Sequence, residues 1–311
     1  MIVIVGPTAA GKTELALALA RSVGGEVISA DSRQVYRELS AGTAKPLQDA
    51  QGRVEGVPCH LLGCAGIGET FDAGRFAAAA QTAAADIRQR GRVPIVAGGT
   101  GLYVRALLDG LVDLPARDEA LRRRLEDEAR AAGRAALHER LARVDPEAAA
   151  RIPPNNLQRV VRALEVFELA GEPISSLWRR ARRTPGLRPS AVLGIEWPAE
   201  ALRRRIGERA ARMWPAMLEE VRGLLLRFTG LEPGFQSLGY REAVACVRGG
   251  LDREEGLRLL VHATCAYARR QRTWFRHQLD AAPVAGGRTQ DMLTEALRCL
   301  ERAAAQGAKA A

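Results

Sequence analysis

The fold of this chain is decided by its first residues, Met1-Ile2-Val3-Ile4-Val5-Gly6-Pro7-Thr8-Ala9-Ala10-Gly11-Lys12-Thr13. The last eight match the phosphate-binding pattern G-x-x-x-x-G-K-[ST], between an apolar run and an Ala- and Leu-rich stretch that predicts a helix. In that context, backbone N–H groups and the helix N-terminus surround an anion, Lys12 adds a positive charge, and the Thr13 hydroxyl can reach a Mg²⁺ ion. The loop predicts a polyphosphate ligand without saying which one.

Short apolar runs alternate with helical stretches over residues 1–111, which is typical of a parallel α/β sheet. The predicted strands are 2–5, 26–29, 93–97 and 191–196, and the predicted helices of this part are 12–22, 73–90 and 101–108. Arg- and Ala-rich helical segments occupy 112–186, which end in a linker at 184–189. We therefore predict an α/β, P-loop NTPase-like core, residues 1–111 and 187–311, with a parallel sheet flanked by helices and an inserted all-helical subdomain over 112–186.

The composition indicates a soluble protein with a polyanionic partner. The chain has 311 residues, a net charge of +10 and a pI near 10.1. Such a charge favours nucleic acid or an anionic surface as partner. Arginine supplies all but three of the 46 basic residues, so Lys45 is a candidate second cation at the phosphate site. The scattered cysteines and the lack of a long apolar run predict reduced thiols, no membrane association and a cytoplasmic location.

Polar residues follow the second and third predicted strands. Asp31-Ser32-Arg33-Gln34 comes directly after strand 26–29, and Gly98-Gly99-Thr100-Gly101 comes directly after strand 93–97. Because ligands of open α/β sheets bind at the carboxyl ends of the strands, Asp31 should face the phosphate loop. Its carboxylate is a candidate general base or metal ligand, and capping a helix is the plainer alternative.

Two arginine-rich segments are candidates for nucleic-acid contact. Residues 158–162 place Arg159 and Arg162 near one helix face, and residues 269–276 combine four arginines with Trp274 and Phe275. Arginine and aromatic side chains together suit phosphate contact and stacking on an unpaired base. Either segment could instead be a solvated helix face.

Seven motifs in a fixed order extend over nearly the whole chain. They are the phosphate loop, D-S-R-Q-V-Y (31–36), G-T-A-K-P (42–46), G-G-T-G-L-Y (98–103), P-N-N-L-Q-R-V-V-R-A-L-E (154–165), S-L-G-Y-R-E (237–242) and R-R-Q-R-T-W-F (269–275). This series closely resembles the bacterial tRNA dimethylallyltransferase family. The family transfers a dimethylallyl group from dimethylallyl diphosphate to N6 of adenosine 37, in the anticodon stem-loop of certain tRNAs.

The resemblance implies a role for each part of the site. Residues 6–13 would hold the donor's diphosphate, with Mg²⁺ at Thr13, and Arg205 and Arg209 resemble family arginines near that group. Lys12, Asp31 and Thr100 would be catalytic, Asp31 as the base that takes the proton of the adenine amine. The implied contacts with tRNA and its flipped adenine are Asp31, Ser32, Arg33, Gln34, Thr100, Arg122, Gln158, Arg159, Arg162, Ser237, Leu238, Gly239, Tyr240, Arg241, Glu242, Arg269, Arg270, Gln271, Arg272, Trp274 and Arg276.

One departure from the family's pattern concerns two positions of a single segment. Cys59 and Gly63 stand where the family usually has histidine and aspartate, which puts a metal or loop-ordering role there in doubt. Three other functions remain open: an adenylate isopentenyltransferase acting on free AMP, ADP or ATP, a small-molecule P-loop kinase, and an RNA-binding protein with a vestigial loop. The basic segments favour tRNA as acceptor, and we expect a monomer.

Overall fold

One mostly parallel sheet organises the larger of two compact units. The computed structural model describes residues 1–110, 112, 114–180 and 186–310, and in those residues the sheet has seven strands. The strands are β1 (Ile2–Val5), β2 (Gly25–Ser29), β3 (Arg53–Val54), β4 (Val57–His60), β5 (Val93–Gly98), β6 (Ala191–Glu196) and β7 (Ala282–Ala285). They lie in the order β3-β4-β2-β5-β1-β6-β7, and β3 alone of these is antiparallel to its neighbour. The predicted α/β class is confirmed.

Every residue of β1 and β2 is buried. Such continuous burial on both faces is what helices packed on each side of a parallel sheet produce, and it explains why the unbroken apolar run of β1 could be recognised. The four predicted strands are confirmed to within one residue at each end. The prediction missed β3, β4 and β7. The last two contain Pro58 and Pro283, and β7 is an edge strand, where a missing N–H is tolerated.

Seven α-helices surround the sheet of the larger unit within the described residues. They are α1 (Lys12–Val23), α2 (Ala73–Gln89), α3 (Gly101–Asp109), α9 (Ala199–Leu224), α10 (Tyr240–Val247), α11 (Arg253–Gln278) and α12 (Thr289–Ala310). Helices α1 and α12 bury apolar residues against one face of the sheet. Helices α2 and α3, with Phe275 of α11, cover the other face. A third buried cluster joins α9, α10 and α11 to residues 35–39.

Residues Asp109–Gly186 form the second unit, which is helical where it is described. Its helices are α4 (Glu119–Ala132), α5 (Arg134–Val144), α6 (Pro146–Arg151), α7 (Leu157–Ala170) and α8 (Ile174–Arg180). Leucines and valines of α4, α5 and α7 form its core. The Asp145 carboxylate accepts hydrogen bonds of 2.9 Å from the backbone N–H groups of Ala148 and Ser175, and so joins the starts of α6 and α8. The predicted linker 184–189 begins outside the described residues.

No helix among the described residues is both long enough and apolar enough to span a membrane.

Candidate active site

The phosphate-binding loop connects β1 to α1 in a conformation that leaves the helix N-terminus open. Gly11 has φ +93°, a left-handed value that favours glycine, and it precedes α1 without a side-chain cap. Ala9 also has a positive φ, +63°. A Cβ at Gly6 would lie 3.2 Å from the carbonyl oxygen of Ile195, so the loop passes close to β6. Uncapped N–H groups at a helix start favour an anion.

Lys12 is the first residue of α1, and its side chain turns back over the loop. Its Nζ donates a 2.7 Å hydrogen bond to the carbonyl of Pro7. Burial lowers the pKa of the Lys12 ammonium to about 8, while Asp31 raises that pKa and Arg209 lowers it. These effects place Lys12, Asp31 and Arg209 in one electrostatic neighbourhood. An anion bound there would further favour the charged form of Lys12 and raise its pKa.

Two arginines of α9 adjoin the loop. The Nε of Arg205 donates a 3.0 Å hydrogen bond to the carbonyl of Ala9, and its terminal nitrogens have no partner among the described residues. Burial lowers the pKa of Arg209, and Asp31 opposes that shift. Arg209 makes no hydrogen bond or ion pair within the described part of the chain. A partly buried guanidinium without a hydrogen bond or ion pair suits the oxygens of a diphosphate, which it binds through two N–H groups at once.

Trp197, directly after β6, is a site residue that sequence reasoning did not select. Its indole N–H donates a 3.0 Å hydrogen bond to the carbonyl of Ala10, and the guanidinium carbon of Arg205 lies 4.4 Å from the centroid of its ring. Trp197 and Arg205 therefore hold two successive carbonyl groups of the loop, those of Ala10 and Ala9. The only sequence signal was the position of Trp197 at the carboxyl end of a strand.

Asp31 follows β2 and lies in a tight turn. Its Oδ1 accepts hydrogen bonds from the backbone N–H groups of Arg33 (2.8 Å) and Gln34 (3.3 Å). Its Oδ2 has no hydrogen-bond partner within the described residues. One oxygen thus orients the carboxylate and the other is available to accept a proton. The plainer alternative from the sequence, a capping role, describes Oδ1 alone.

Thr100 joins the turn after β5 to the turn after β2. Its hydroxyl accepts a 2.9 Å hydrogen bond from the backbone N–H of Ser32 and donates to the Ser32 hydroxyl at 3.3 Å, and its own N–H donates to the carbonyl of Ala30. A Cβ at Gly98 would lie 2.1 Å from that carbonyl oxygen, so only glycine allows the two strand ends to approach so closely. The structure therefore brings Asp31, Ser32 and Thr100 together.

Gln271 has a different surrounding from the one its predicted tRNA contact requires. Its side chain projects from α11 and is buried, with Oε1 accepting a 2.8 Å hydrogen bond from Thr8 N and Nε2 donating at 2.8 Å to the carbonyl of Gly99. The amide thus joins the phosphate loop to the turn after β5, with one bond to its oxygen and one from its nitrogen. This geometry gives Gln271 a role in positioning the site's backbone, and its contact with tRNA stays a prediction.

The other predicted tRNA residues of α10 and α11 divide by exposure. Arg241, Arg269, Arg270 and Arg276 are exposed, and Leu238, Glu242 and Arg272 are partly exposed. Ser237, Gly239 and Tyr240 are buried and offer little surface in this structure, so their contact with tRNA stays a prediction. Trp274 is half-buried and packs against the start of α3. Its ring is so close that a Cβ at Gly101 would lie 2.5 Å from it, so part of this side chain serves packing.

In the second unit, two of the four predicted contacts are engaged in a buried ion cluster. Glu165 is fully buried and accepts hydrogen bonds from Arg162 (2.8 Å) and Arg122 (3.3 Å). Arg162 also donates to the carbonyl of Pro115 at 2.8 Å. Gln158 and Arg159 are exposed. Glu165 was the missed residue here: nothing in the sequence distinguishes a buried glutamate from the exposed ones around it.

The side chains of Gln34 and Lys45 bind neighbouring loops. Gln34 donates to the carbonyls of Thr43 and Ala44, and accepts from the Ser29 hydroxyl at 3.2 Å. Lys45 donates to the carbonyls of Tyr36 and Arg37, and has no hydrogen bond to the phosphate loop in the described structure. The prediction of Lys45 as a second phosphate-site cation has no hydrogen-bond support here. The Arg33 guanidinium makes no hydrogen bond or ion pair among the described residues.

The segment that departs from the family pattern lies on β4 and after it. Cys59 is buried in the core, and burial raises the pKa of its thiol to about 11. His60 Nε2 lies 2.7 Å from the buried carboxylate of Glu26, which Arg90 also contacts. Gly63 has φ +59°, and its N–H donates to the carbonyl of Gln34. This segment therefore supports the Asp31 turn through Gln34.

A cavity of about 620 Å³ adjoins the start of the phosphate loop. Its walls combine apolar side chains, among them Trp197, Phe275 and Leu279, with Arg272 and Arg276 of α11. No group of three or more His, Cys, Asp or Glu side chains that could hold a metal ion exists in the described residues.

Comparison with known proteins assigns the family. The family model described as IPP transferase matches residues 34–278, and one described as isopentenyl transferase matches residues 1–56. A protein named tRNA dimethylallyltransferase from Anaeromyxobacter sp. (strain Fw109-5) is 51% identical over 279 residues, covering 89% of this chain and 92% of that protein. One of the same name from Geobacter metallireducens is 46% identical over 282 residues, covering 90% of each.

Solved structures agree with the sequence matches. The crystal structure of a tRNA delta(2)-isopentenylpyrophosphate transferase from Staphylococcus epidermidis has a TM-score of 0.67 and 33% identity, covering 97% of this chain and 98% of that one. A eukaryotic dimethylallyltransferase acting on tRNA has a TM-score of 0.75 and 27% identity, covering 93% of this chain and 74% of that one. The protein therefore belongs to the IPP transferase family.

Proposed function

We propose that this enzyme transfers a dimethylallyl group from dimethylallyl diphosphate to N6 of adenosine 37 in tRNA, releasing diphosphate. The observation that carries the proposal is the junction of the Asp31 turn with the phosphate loop: the N–H of Thr100 donates to the carbonyl of Ala30, and Gln271 joins the adjacent Gly99 to Thr8. Phosphate-binding cations and a carboxylate with a free oxygen are the two halves that an alkyl transfer from a diphosphate requires. The names of the relatives support the assignment to tRNA.

The donor half of the site consists of the phosphate loop and the cations around it. The N-terminus of α1, Lys12, Arg205 and Arg209 would stabilise the negative charge that grows on the diphosphate as its bond to carbon breaks. The Thr13 hydroxyl has no hydrogen-bond partner in the described residues, so it is free to bind a metal ion. Mg²⁺ usually takes one or two protein ligands beside substrate phosphates, which fits a site without an acidic cluster. When bound, Mg²⁺ would neutralise charge on the leaving diphosphate.

The acceptor half is the turn that carries Asp31. The N6 amine forms the new bond to the allylic carbon, the carbon–oxygen bond of the donor breaks, and diphosphate leaves with the electron pair. Asp31 Oδ2 takes the proton that N6 loses. The adenine amine is a weak nucleophile because its lone pair is delocalised, so alignment supplies much of the rate. The base must leave its stack to enter, and Ser32, Arg33 and Thr100 line the turn that would receive it.

Each of the two units has exposed basic or polar side chains that we propose contact tRNA. Arg269, Arg270 and Arg276 lie on α11, and Gln158 and Arg159 lie at the start of α7. Their contacts with phosphate would not depend on base identity, so they would orient the tRNA and leave selection of the base to the pocket. We propose a monomer, since the site as described needs no residue from a second copy.

The direct test is prenyl transfer from radiolabelled dimethylallyl diphosphate to unmodified tRNA and, in parallel, to free AMP. We expect label on the tRNA, located by mass spectrometry at adenosine 37, and none on AMP. Label on AMP alone would establish the free-nucleotide prenyltransferase instead. ATP consumption without any prenyl diphosphate would indicate a kinase. Transfer that survives both Lys12→Ala and Asp31→Ala would refute the proposed site.

A further inference from the structure

Residues 40–45, which we call the brace loop, are tied directly to the turn that carries Asp31. Gln34 Nε2 donates hydrogen bonds to the carbonyls of Thr43 (3.3 Å) and Ala44 (3.2 Å). Lys45 Nζ donates to the carbonyls of Tyr36 (2.6 Å) and Arg37 (2.8 Å). The brace loop therefore binds the segment that follows Asp31 at two places, through the Gln34 amide and through the Lys45 ammonium group.

The opposite side of the brace loop is held by two buried or partly buried side chains of the C-terminal helices. Glu220 Oε2 accepts hydrogen bonds from the N–H groups of Ser40 (2.8 Å) and Ala41 (2.9 Å). Glu220 Oε1 accepts the hydroxyl of Tyr240 at 2.6 Å, and that hydroxyl accepts the N–H of Gly42 at 3.1 Å. Three successive N–H groups therefore have partners in α9 and α10.

The fit at this contact leaves the brace loop little freedom. A Cβ at Gly42 would lie 2.6 Å from Cε2 of Tyr240 and 2.8 Å from the sulfur of Met217. Tyr240 is fully buried, and burial with the neighbouring Glu220 raises the pKa of its phenol, so the hydroxyl keeps its proton and donates. A close-packed, fully satisfied polar contact of this kind specifies one conformation.

This series of contacts leads to the carboxylate of Asp31. Asp31 Oδ1 accepts the backbone N–H of Gln34, whose side chain is held by the brace loop, and of Arg33. The orientation of Oδ2, the oxygen proposed to take the proton, therefore depends on contacts that begin at Glu220 and Tyr240. Neither of these residues, nor Lys45, has a hydrogen bond to the phosphate loop in the described residues.

We infer that Lys45, Glu220 and Tyr240 are positioning residues, which act through the brace loop to orient the Asp31 carboxylate. This inference rests on the proposed function and names further residues for it. A small misplacement of a reacting group costs rate without weakening substrate binding. A positioning role for Lys45 therefore predicts a lower kcat, whereas direct contact of Lys45 with phosphate predicts weaker donor binding.

The test compares Lys45→Met with Tyr240→Phe in steady-state transfer to tRNA. We expect kcat to fall about tenfold in each, with the KM for tRNA and for donor within about twofold of the wild type. In an Asp31→Glu background, where the carboxylate is already displaced, each change should cost much less, because residues that act as one unit are not additive. Lys45 is partly exposed, so Lys45→Met still provides the test if Tyr240→Phe does not fold.

The matched control is Trp214→Phe. The Trp214 indole donates to the carbonyl of Arg253 at 3.0 Å inside the same buried cluster as Tyr240, and within the described residues it makes no hydrogen bond to the brace loop. It should lower the melting temperature and leave kcat unchanged. A normal kcat in Lys45→Met, a raised donor KM, or an equal loss in the Asp31→Glu background would overturn the inference. Failure of the wild type to modify tRNA would refute the proposed function itself.

Discussion

Gln271 Oε1 accepts a 2.8 Å hydrogen bond from the backbone N–H of Thr8, so a residue near the end of α11 fixes the middle of the phosphate-binding loop. Its Nε2 donates to the carbonyl of Gly99, in the turn that precedes α3. One buried amide thus satisfies a donor and an acceptor from two loops of the site. A side chain that can both donate and accept is required there.

We predict that Gln271→Glu makes stability depend on pH. A carboxylate can accept from Thr8 but would face the carbonyl of Gly99, so the folded variant should bind a proton and its Glu pKa should exceed the unfolded value of about 4.3. Stability of the variant relative to wild type then falls as pH rises above about 4.3. Melting temperatures at pH 5 and pH 8 test this. Gln278→Glu, at an exposed position of the same helix, should show no such trend.

We predict that donor affinity falls above pH 8 because of Lys12. The free protein loses this proton near pH 8, well below an ordinary lysine at about 10.4, whereas a bound diphosphate favours the ammonium. Binding above pH 8 should therefore take up a proton, and Kd should rise with pH. Calorimetry in buffers of different ionisation enthalpy measures the uptake. In Lys12→Arg the side chain stays charged over this pH range, while the ligand ionises as it does with the wild type. An equal slope of Kd against pH in the two proteins would therefore rule out Lys12 as the source.

We predict that Asp31→Ala abolishes transfer while tRNA still binds. The change removes the acceptor of the N6 proton, but the exposed arginines of α11 and α7 remain. Single-turnover transfer should fall by at least about 10²-fold, the usual contribution of a general base. Filter binding of tRNA at fixed salt should change little. Near-normal turnover would show that Asp31 is not the base.

We predict opposite outcomes for two arginines three residues apart on α7. Arg159→Ala should weaken tRNA binding and reduce its salt dependence by about 0.7–0.9 in slope, with no change in melting temperature. Arg162→Ala removes a partner of buried Glu165 and should cost about 1–3 kcal/mol of stability. Thermal melts and salt titrations of both variants separate the two roles. Equal melting temperatures would show that the Glu165 cluster is not stabilising.

The sequence predicted the parts of the fold and site that depend on short-range pattern. An apolar run, a phosphate loop and a following helix are contiguous, so β1, the loop and α1 could be located within a residue. Gln271 and Thr8 are separated by 263 positions, and no local pattern indicates which backbone group a glutamine will meet. The contact of Glu220 with Ser40 could not be predicted for the same reason, since 180 positions separate the two residues. The roles of the predicted site residues stay predictions.

We predict that Trp197→Phe weakens donor binding through the loop's backbone. The change keeps an aromatic face for Arg205 but removes the N–H that binds the carbonyl of Ala10 at 3.0 Å. Loss of this bond should cost about 1 kcal/mol, roughly a fivefold rise in donor Kd, as residues 9 and 10 gain freedom. Trp214→Phe removes an indole N–H bond to the carbonyl of Arg253, which is not a residue of the phosphate loop, and should leave donor Kd unchanged. Calorimetric titration with the donor decides between them, and an equal change in both variants would show that Trp197 acts through general stability alone.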